Sequence, residues 1–418
     1  MATSGEITPV TDLDLPRLDY LDPELRGDRF HEVMVALGER SWLAKWDLGY
    51  FVLDREAAGF FLRTDKAAFP GVRILELVGI SDGPLYDSLS NNIISLGGDQ
   101  HRRLRKLVHS SFTPKAADRY RPAMRQILAE LYQRLDEAGS CDFVSAFAKP
   151  YPARMVATVI GAPLEDAERL HELSHLLQGQ FDAIALATRR EELESAAIEF
   201  DDYVERLVAG RRDNLGDDLV SRLIAAEEEG DRLSHRECVG LVRDALNGGI
   251  DTTQSQLAHG IRLLAEHPDQ WELLGLDPEL APAAAEEVLR FEPVAPFTTR
   301  ILLEDVVFRG VEFPKDTVVA VSQFSANRDL ENGDPHSFDI TADRGSSKAL
   351  TFGAGPHFCM GSNLARAELQ EGLAFLAAHL KELELDGEPV HGTITGLYGL
   401  EALPIRFAPA APGLESGA

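Results

Sequence analysis

Phe352-Gly-Ala-Gly-Pro-His-Phe-Cys-Met-Gly361 is the stretch on which the reading of this chain turns. Gly353 and Gly355 let the backbone approach a flat partner closely, because neither has a Cβ. Cys359 follows, and an amphipathic helical pattern, GSNLARAELQEGLAFLAAHL, starts at Gly361. A thiolate just ahead of a helix N-terminus is stabilised by the helix dipole and by free amide N–H groups. That is one way to hold an anionic sulfur as an iron ligand. The pattern F-G-x-G-x-H-x-C-x-G has a chance expectation of about 2 × 10⁻⁶ at this length and composition. Burial as a small hydrophobe is the plain alternative for a cysteine, and it is the reading for Cys141 and Cys238.

Working outward, the whole chain sets bounds. Its 418 residues suggest about three domains at ~150 residues each, or one large one. With 41 basic and 69 acidic residues the net charge is −28, which argues against nucleic acid and anionic membranes as partners. Three cysteines exclude a disulfide framework and a four-cysteine zinc or iron–sulfur site. A reduced cytoplasm is the expected location. The first twenty residues show neither a basic n-region nor an apolar h-region, so no signal peptide is expected. No run of eighteen apolar residues occurs, so no membrane insertion is expected.

Local patterning predicts a mainly α fold with a small β-rich portion. Residues 1–25 read as a surface arm, 26–410 as one large domain, and 411–418 as a disordered tail. Residues 31–62 mix a short helix with strand-like WLAKWDLGYFVLD, and 66–100 read as a long irregular region. In 121–139, Met124, Ile127, Leu128, Leu131 and Leu135 fall on one helical face, with Gly139 closing the helix. Further helical patterns cover 152–175, 190–212, 217–229, 234–268, 270–276 and 279–291. Short strands are predicted in 298–325, loop in 326–358, and a strand pair in the tail after His391.

The loop at 352–361 resembles the haem-binding loop of the cytochrome P-450 family, in which the cysteine thiolate is the axial iron ligand. Five further blocks match that family in order and spacing. They are His101-Arg-Arg-Leu-Arg105, Gly248-Gly-Ile-Asp-Thr252, Glu287-Val-Leu-Arg290, Arg300 and Ala326-Asn-Arg-Asp329. The resemblance covers nearly the whole chain and implies a single haem-enclosing domain with haem b (iron protoporphyrin IX) as cofactor. It implies Cys359 as the metal ligand and His101, Arg105, Arg300 and His357 as partners of the haem propionates. Phe352, Gly248 and Gly249 would flank the ring. Glu287 and Arg290 would have a structural role. Ala342 takes the usual place of a third, arginine member of that cluster, and Arg344 lies two residues further on, so its identity stays open.

The resemblance also implies the chemistry. Thiolate ligation favours O–O cleavage. Asp251 and Thr252 would deliver protons and steer cleavage of dioxygen bound over the iron. Two mid-helix glycines cost roughly 1 kcal/mol each, so something must need the space at Gly248 and Gly249. The expected activity is insertion of one oxygen atom from O2 into a hydrophobic small molecule. Substrate contacts are expected from Ala245, Val294, Ala295, Phe297, Leu397 and Leu85, with Ile80 and Leu89 beside them. Asn247, Thr298 and Thr299 are the few polar candidates, and Asn247 is equally placed to face a neighbouring helix. With no dinucleotide fingerprint, electrons would come from a ferredoxin or flavodoxin with an NAD(P)H-dependent reductase. Arg102, Arg103 and Lys106 are candidates for its docking face.

A peroxide-driven or oxidative-coupling enzyme is the rival within the family, and a non-catalytic haem sensor is the rival outside it. His171-Glu-Leu-Ser-His175 is a literal H-E-x-x-H with a chance expectation of about 0.03, and its histidines read as surface or packing residues. Gly79-Ile-Ser-Asp-Gly83 is a literal G-x-S-x-G, but Pro84 and more loop are expected to follow where a nucleophile elbow needs a helix.

Overall fold

Proline and glycine punctuate the helices that wall the central cavity. Pro150 and Pro152 sit in the first turn of Pro150–Ile160, where a missing N–H costs nothing, and Gly161 ends that helix with φ at 91°. The pattern predicted as one helix over 152–175 is therefore two, the second being Ala167–Gln178. The computed structural model describes residues 7–135, 139–228, 233–329, 331–345 and 348–409. The tail at 411–418 lies outside the described residues.

The pattern over 234–268 is likewise split. Ser234 and Glu237 form a reciprocal capping box that starts His235–Gly249. Asp251–Glu266 follows after a break at Ile250, whose ψ is −71°. At that break Thr252 Oγ1 donates to the Gly248 carbonyl at 2.9 Å, which competes with the regular ladder and bends the helix axis. Asp251–Glu266 runs through the middle of the molecule and buries polar Gln254, Gln256 and His259 as well as Leu257 and Ile261. It packs on Ser362–His379, the helix after the cysteine loop. Arg121–Tyr132 joins the same cluster through Met124, Ile127, Leu128 and Leu131. Gly139 does not cap that helix. Its carbonyl accepts from Phe407 N at 2.7 Å, and a Cβ there would stand 2.5 Å from the Phe407 carbonyl oxygen. The glycine is needed for close backbone approach.

The β portion is a five-stranded sheet in the order Leu43–Lys45, Gly49–Val52, Val318–Ser322, Phe297–Leu302 and Ala67–Ala68. Gly49–Val52 runs parallel to Val318–Ser322 and the other pairs are antiparallel. A second sheet brings Pro404–Pro409 between Leu380–Leu385 and Ser140–Asp142. Sequence reading predicts no strand at 380–385, because a bulge at 381–384 and a positive φ of 51° at Glu382 interrupt its alternation. The irregular region at 66–100 contains two short helices, Arg73–Leu77 and Pro84–Ser90. The N-terminal segment is not a loose surface arm. Thr8–Pro9 pairs with Val311–Phe313, and Val10, Leu18 and Leu25 are buried. Among the described residues no helix is long and apolar enough to cross a membrane.

Candidate active site

Cys359 N donates to the Phe352 carbonyl at 2.9 Å, and Gly353 N to the Leu350 carbonyl at 2.7 Å, so the cysteine loop is folded on itself. Gly353 and Gly355 have φ of 70° and 72°, values that favour glycine. Only Gly353 meets open space and lines the cavity. A Cβ on Gly355 would lie 2.6 Å from the Leu62 carbonyl oxygen, so this glycine serves the contact with the helix Arg55–Arg63, not a flat partner. Phe352 is held beneath the Arg366 guanidinium at 4.5 Å. Cys359 opens onto a cavity of about 400 Å³. The surrounding protein raises its thiol pKa, while the amides of Gly361 and Ser362 and the charges of Arg105 and Arg366 pull it down. Burial pushes the other two thiols up, Cys141 to about 11 and Cys238 to about 12, which makes them inert packing groups.

One wall of this cavity gathers four basic side chains, and Asp244 and Glu368 also line the cavity. His101 and Arg105 come from Gly98–His109, Arg300 from the central sheet and His357 from the cysteine loop. The rings of His101 and His357 lie 4.3 Å apart. Burial lowers Arg300 to about 10. Burial, reinforced by His101, Arg300 and Arg105, lowers His357 to about 4. His101 is lowered by burial and by the charges of Arg105 and Arg102. Among the described residues neither arginine pairs with a carboxylate. Arg300 donates to the Thr299 carbonyl at 3.0 Å, and Arg105 to that of Phe358. Buried cations without acids are costly, and two carboxylates entering from the cavity would complete them. A flat macrocycle with two propionates fits this donor set, with the sulfur on one face and the helix break on the other.

Gly248, Gly249 and Thr252 line the opposite wall. A Cβ on Gly248 meets nothing within 4 Å, whereas one on Gly249 would lie 2.9 Å from Val156 Cγ2. Only Gly248 leaves space in the cavity. Gly249 is needed for packing against Pro150–Ile160. We expect Gly248→Ala to stabilise the protein in the absence of ligand by about 0.5–1 kcal/mol through helix propensity. Gly249→Ala should destabilise it by about 1–3 kcal/mol through overpacking. Denaturant unfolding of the two variants separates these outcomes.

The remaining residues singled out by sequence fall into two groups. Ala245, Asn247, Val294, Ala295 and Thr298 line the cavity. Leu85, Phe297, Leu397 and Thr299 do not. Leu85 is fully buried against the cluster around Arg190–Arg211, as are Ile80 and Leu89. Strand alternation turns Thr298 and Arg300 to the cavity and Phe297 to an aromatic cluster, with Phe51 at 4.8 Å. Leu397 precedes Tyr398, whose amide donates to the Val294 carbonyl at 2.8 Å. Val156, Phe112, Phe181 and Leu289 line the cavity instead, and their apolar side chains gave no signal of that in the sequence.

The supporting cluster is complete. Arg290 donates to both oxygens of Glu287, at 2.8 and 2.7 Å, and Arg344 donates to Glu287 Oε1 at 2.7 Å. Arg344 thus fills the third position despite its displaced spacing. Asn327 ties this region to the cysteine loop, donating to Thr351 Oγ1 at 2.9 Å and accepting from Leu350 N at 2.6 Å. Ser81 of the G-x-S-x-G stretch is exposed. A helix does follow it, contrary to expectation, but the preceding element is also a helix, not the strand an elbow needs. His171 and His175 are not idle surface groups. His175 Nδ1 lies 3.0 Å from Asp251 Oδ1, and His171 Nε2 lies 2.6 Å from Gln254 Oε1. Among the described residues no group of three His, Cys, Asp or Glu could hold a metal ion.

Comparison with known proteins agrees with this geometry. The family model described as Cytochrome P450 matches residues 80–274 and 279–392. Luteothin monooxygenase of Streptomyces thioluteus is 37% identical over 416 residues, covering 98% of this chain and 100% of the relative. 6-Deoxyerythronolide B hydroxylase of Saccharopolyspora erythraea is 34% identical and covers 89% of this chain and 91% of its own. The crystal structure of CalO2 superimposes with a TM-score of 0.87 at 30% identity, over 94% of this chain and 100% of that one. With a cysteine ahead of Ser362–His379, a cluster of basic side chains on the cavity and a helix broken at Ile250, this chain belongs to the cytochrome P450 family and is a haem-thiolate monooxygenase.

Proposed function

We propose that the substrate is a hydrophobic small molecule held between Gly248 and the apolar wall of the cavity, with Cys359 as the iron ligand. The observation that carries this reading is the cavity itself, which joins the sulfur of Cys359, the four basic groups and an apolar chamber in one enclosure. Haem, when bound, supplies dioxygen activation on a thiolate-ligated iron. The chain's own residues do the rest. His101, Arg105, Arg300 and His357 bind the propionates and fix the plane of the ring. Thr252 presents its hydroxyl beside the space above Gly248. Asp251 carries protons toward it.

Polar recognition inside the chamber is sparse. Asn247 is engaged with the neighbouring helix, since its Oδ1 and carbonyl lie near Ser174 Oγ and Gln178 Nε2. Thr298 accepts from Gln323. Shape and apolar contact therefore select the substrate. The relatives named as a luteothin monooxygenase and a 6-deoxyerythronolide B hydroxylase support a small-molecule substrate. A panel of hydrophobic compounds tested for a low- to high-spin shift identifies the class; a response confined to charged polar compounds would contradict this reading.

Electrons are supplied in the cytoplasm by a ferredoxin or flavodoxin with its reductase. Arg102 pairs with Asp99 and Arg103 with Glu237, so the basic face on Gly98–His109 is partly neutralised at its rim. Reversing Arg102 and Arg103 to Glu would expose those acids as well. Electron transfer from an acidic carrier should fall about tenfold at low salt and lose its salt dependence. Stopped-flow reduction checks this, and an unchanged rate would remove the face from the docking site.

A further inference from the structure

Asp251 is turned away from the cavity. It is 3% exposed and does not line the chamber, whereas its neighbour Thr252 does. Both carboxylate oxygens are held by the helix Ala167–Gln178. Ser174, itself fully buried, donates from Oγ to Oδ2 at 2.5 Å, and His175 Nδ1 meets Oδ1 at 3.0 Å. The His175 side chain is 65% exposed against 4% for Asp251, so one imidazole spans from solvent to a buried acid. His171 stacks parallel to His175 at 6.0 Å, with an interplanar angle of 6°, and is anchored on Gln254. The H-E-x-x-H spacing thus places two imidazoles side by side on one helix face, against the acid of the distal helix.

We propose that His175 is the proton entry of the oxygen-activation site, taking protons from water at Nε2 and passing the Nδ1 proton to Asp251 Oδ1. The imidazolium becomes neutral and the carboxylate becomes a carboxylic acid, which turns inward and releases its proton at the cavity. When the exposed ring turns to solvent, Nδ1 takes up a proton from water and Nε2 gives one back, which restores the starting tautomer. His171, Gln254 and Ser174 are positioning residues that hold the pair in register. The charged groups that face His175 support its role. The hydrogen bond and charge of Asp251 raise its pKa above 6.5, against the desolvation of the ring's inner edge and against Lys149 and Arg189. His171, with Asp251, His175 and Lys149 around it, is lowered chiefly by burial, so the two imidazoles are shifted in opposite directions. Below the raised value the entry is loaded, and its loading is lost as pH rises through that value.

This inference rests on the haem-thiolate reading, and the test keeps the two apart. In the reduced, CO-bound holoenzyme with ring-labelled histidine, one imidazole should titrate above 6.5. That resonance should be absent in His175→Asn and should fall below the ordinary value in Asp251→Asn. NADPH-driven oxygen consumption, supported by saturating ferredoxin and its reductase, should decline as pH rises through the same value. In His175→Asn it should be about tenfold slower and flat across that window. Asparagine can still donate a hydrogen bond to Asp251 but carries no transferable proton, so a purely structural role predicts wild-type rate and profile. That result, or a His175 pKa that Asp251→Asn leaves unmoved, would overturn the proposal. Loss of the thiolate-type Soret band in the wild type would instead strike the haem-thiolate reading and leave the titration to be judged by itself.

Discussion

Cys359→Ala should abolish turnover and remove the thiolate-type Soret shift of the reduced, CO-bound protein. In the proposed reading this sulfur, which the loop presents to the cavity, is the anionic ligand. The surrounding protein raises its pKa, the Gly361 and Ser362 amides and Arg105 and Arg366 oppose that rise, and the other two cysteines are packed elsewhere. Alanine fits the loop, because the turn is held by backbone bonds from Cys359 N and Gly353 N and does not use the side chain. The variant should therefore fold, with circular dichroism like that of the parent. Any haem it retains should show an imidazole- or water-type CO adduct, since His101 and His357 also line the cavity. A variant that kept the thiolate-type band would place the iron on another sulfur.

Glu287→Ala should be the most damaging change outside the cavity. Glu287 is 5% exposed and is the shared acceptor for Arg290 and Arg344. It also accepts from Asp339 N at 3.0 Å. Arg290 in turn donates to the carbonyls of Pro335 and Ser337, at 2.9 and 2.7 Å. Removing the carboxylate leaves two buried guanidiniums unpaired, a loss of about 3–5 kcal/mol. Because the cluster fastens the segment leading to the cysteine loop, haem retention should fall with stability. Denaturant unfolding and haem titre measure both. Glu287→Gln keeps an acceptor and should cost less. A loss below about 1 kcal/mol in Glu287→Ala would mean that the cluster is not what holds this segment.

The parts of the site legible in the sequence are those that carry their chemistry in a fixed local spacing. The cysteine loop, His101 with Arg105, and Glu287 with Arg290 each lie within one element, so periodicity alone brings them together. Arg300 was legible through its place at the start of the β portion. Contacts between distant elements were not legible. The period of Ala167–Gln178 puts His171 and His175 on one face, but nothing local says that the face meets Asp251. Leu85 and Phe297 are as apolar as Val156 and Phe181, and only packing decides which of them reach the cavity. Arg344 was hidden by a two-residue offset in a loop, where length can vary without moving the guanidinium. Helix breaks fell inside continuous apolar periodicity, at the single residue Ile250 and over the short connection that starts at Gly161.

The central claim is that Cys359 binds haem iron as a thiolate in this cavity. The absorption spectrum of the reduced, CO-bound wild-type protein tests it most directly. The account predicts a thiolate-type Soret shift, with haem bound in a one-to-one ratio; an imidazole-type spectrum from correctly folded protein would contradict it.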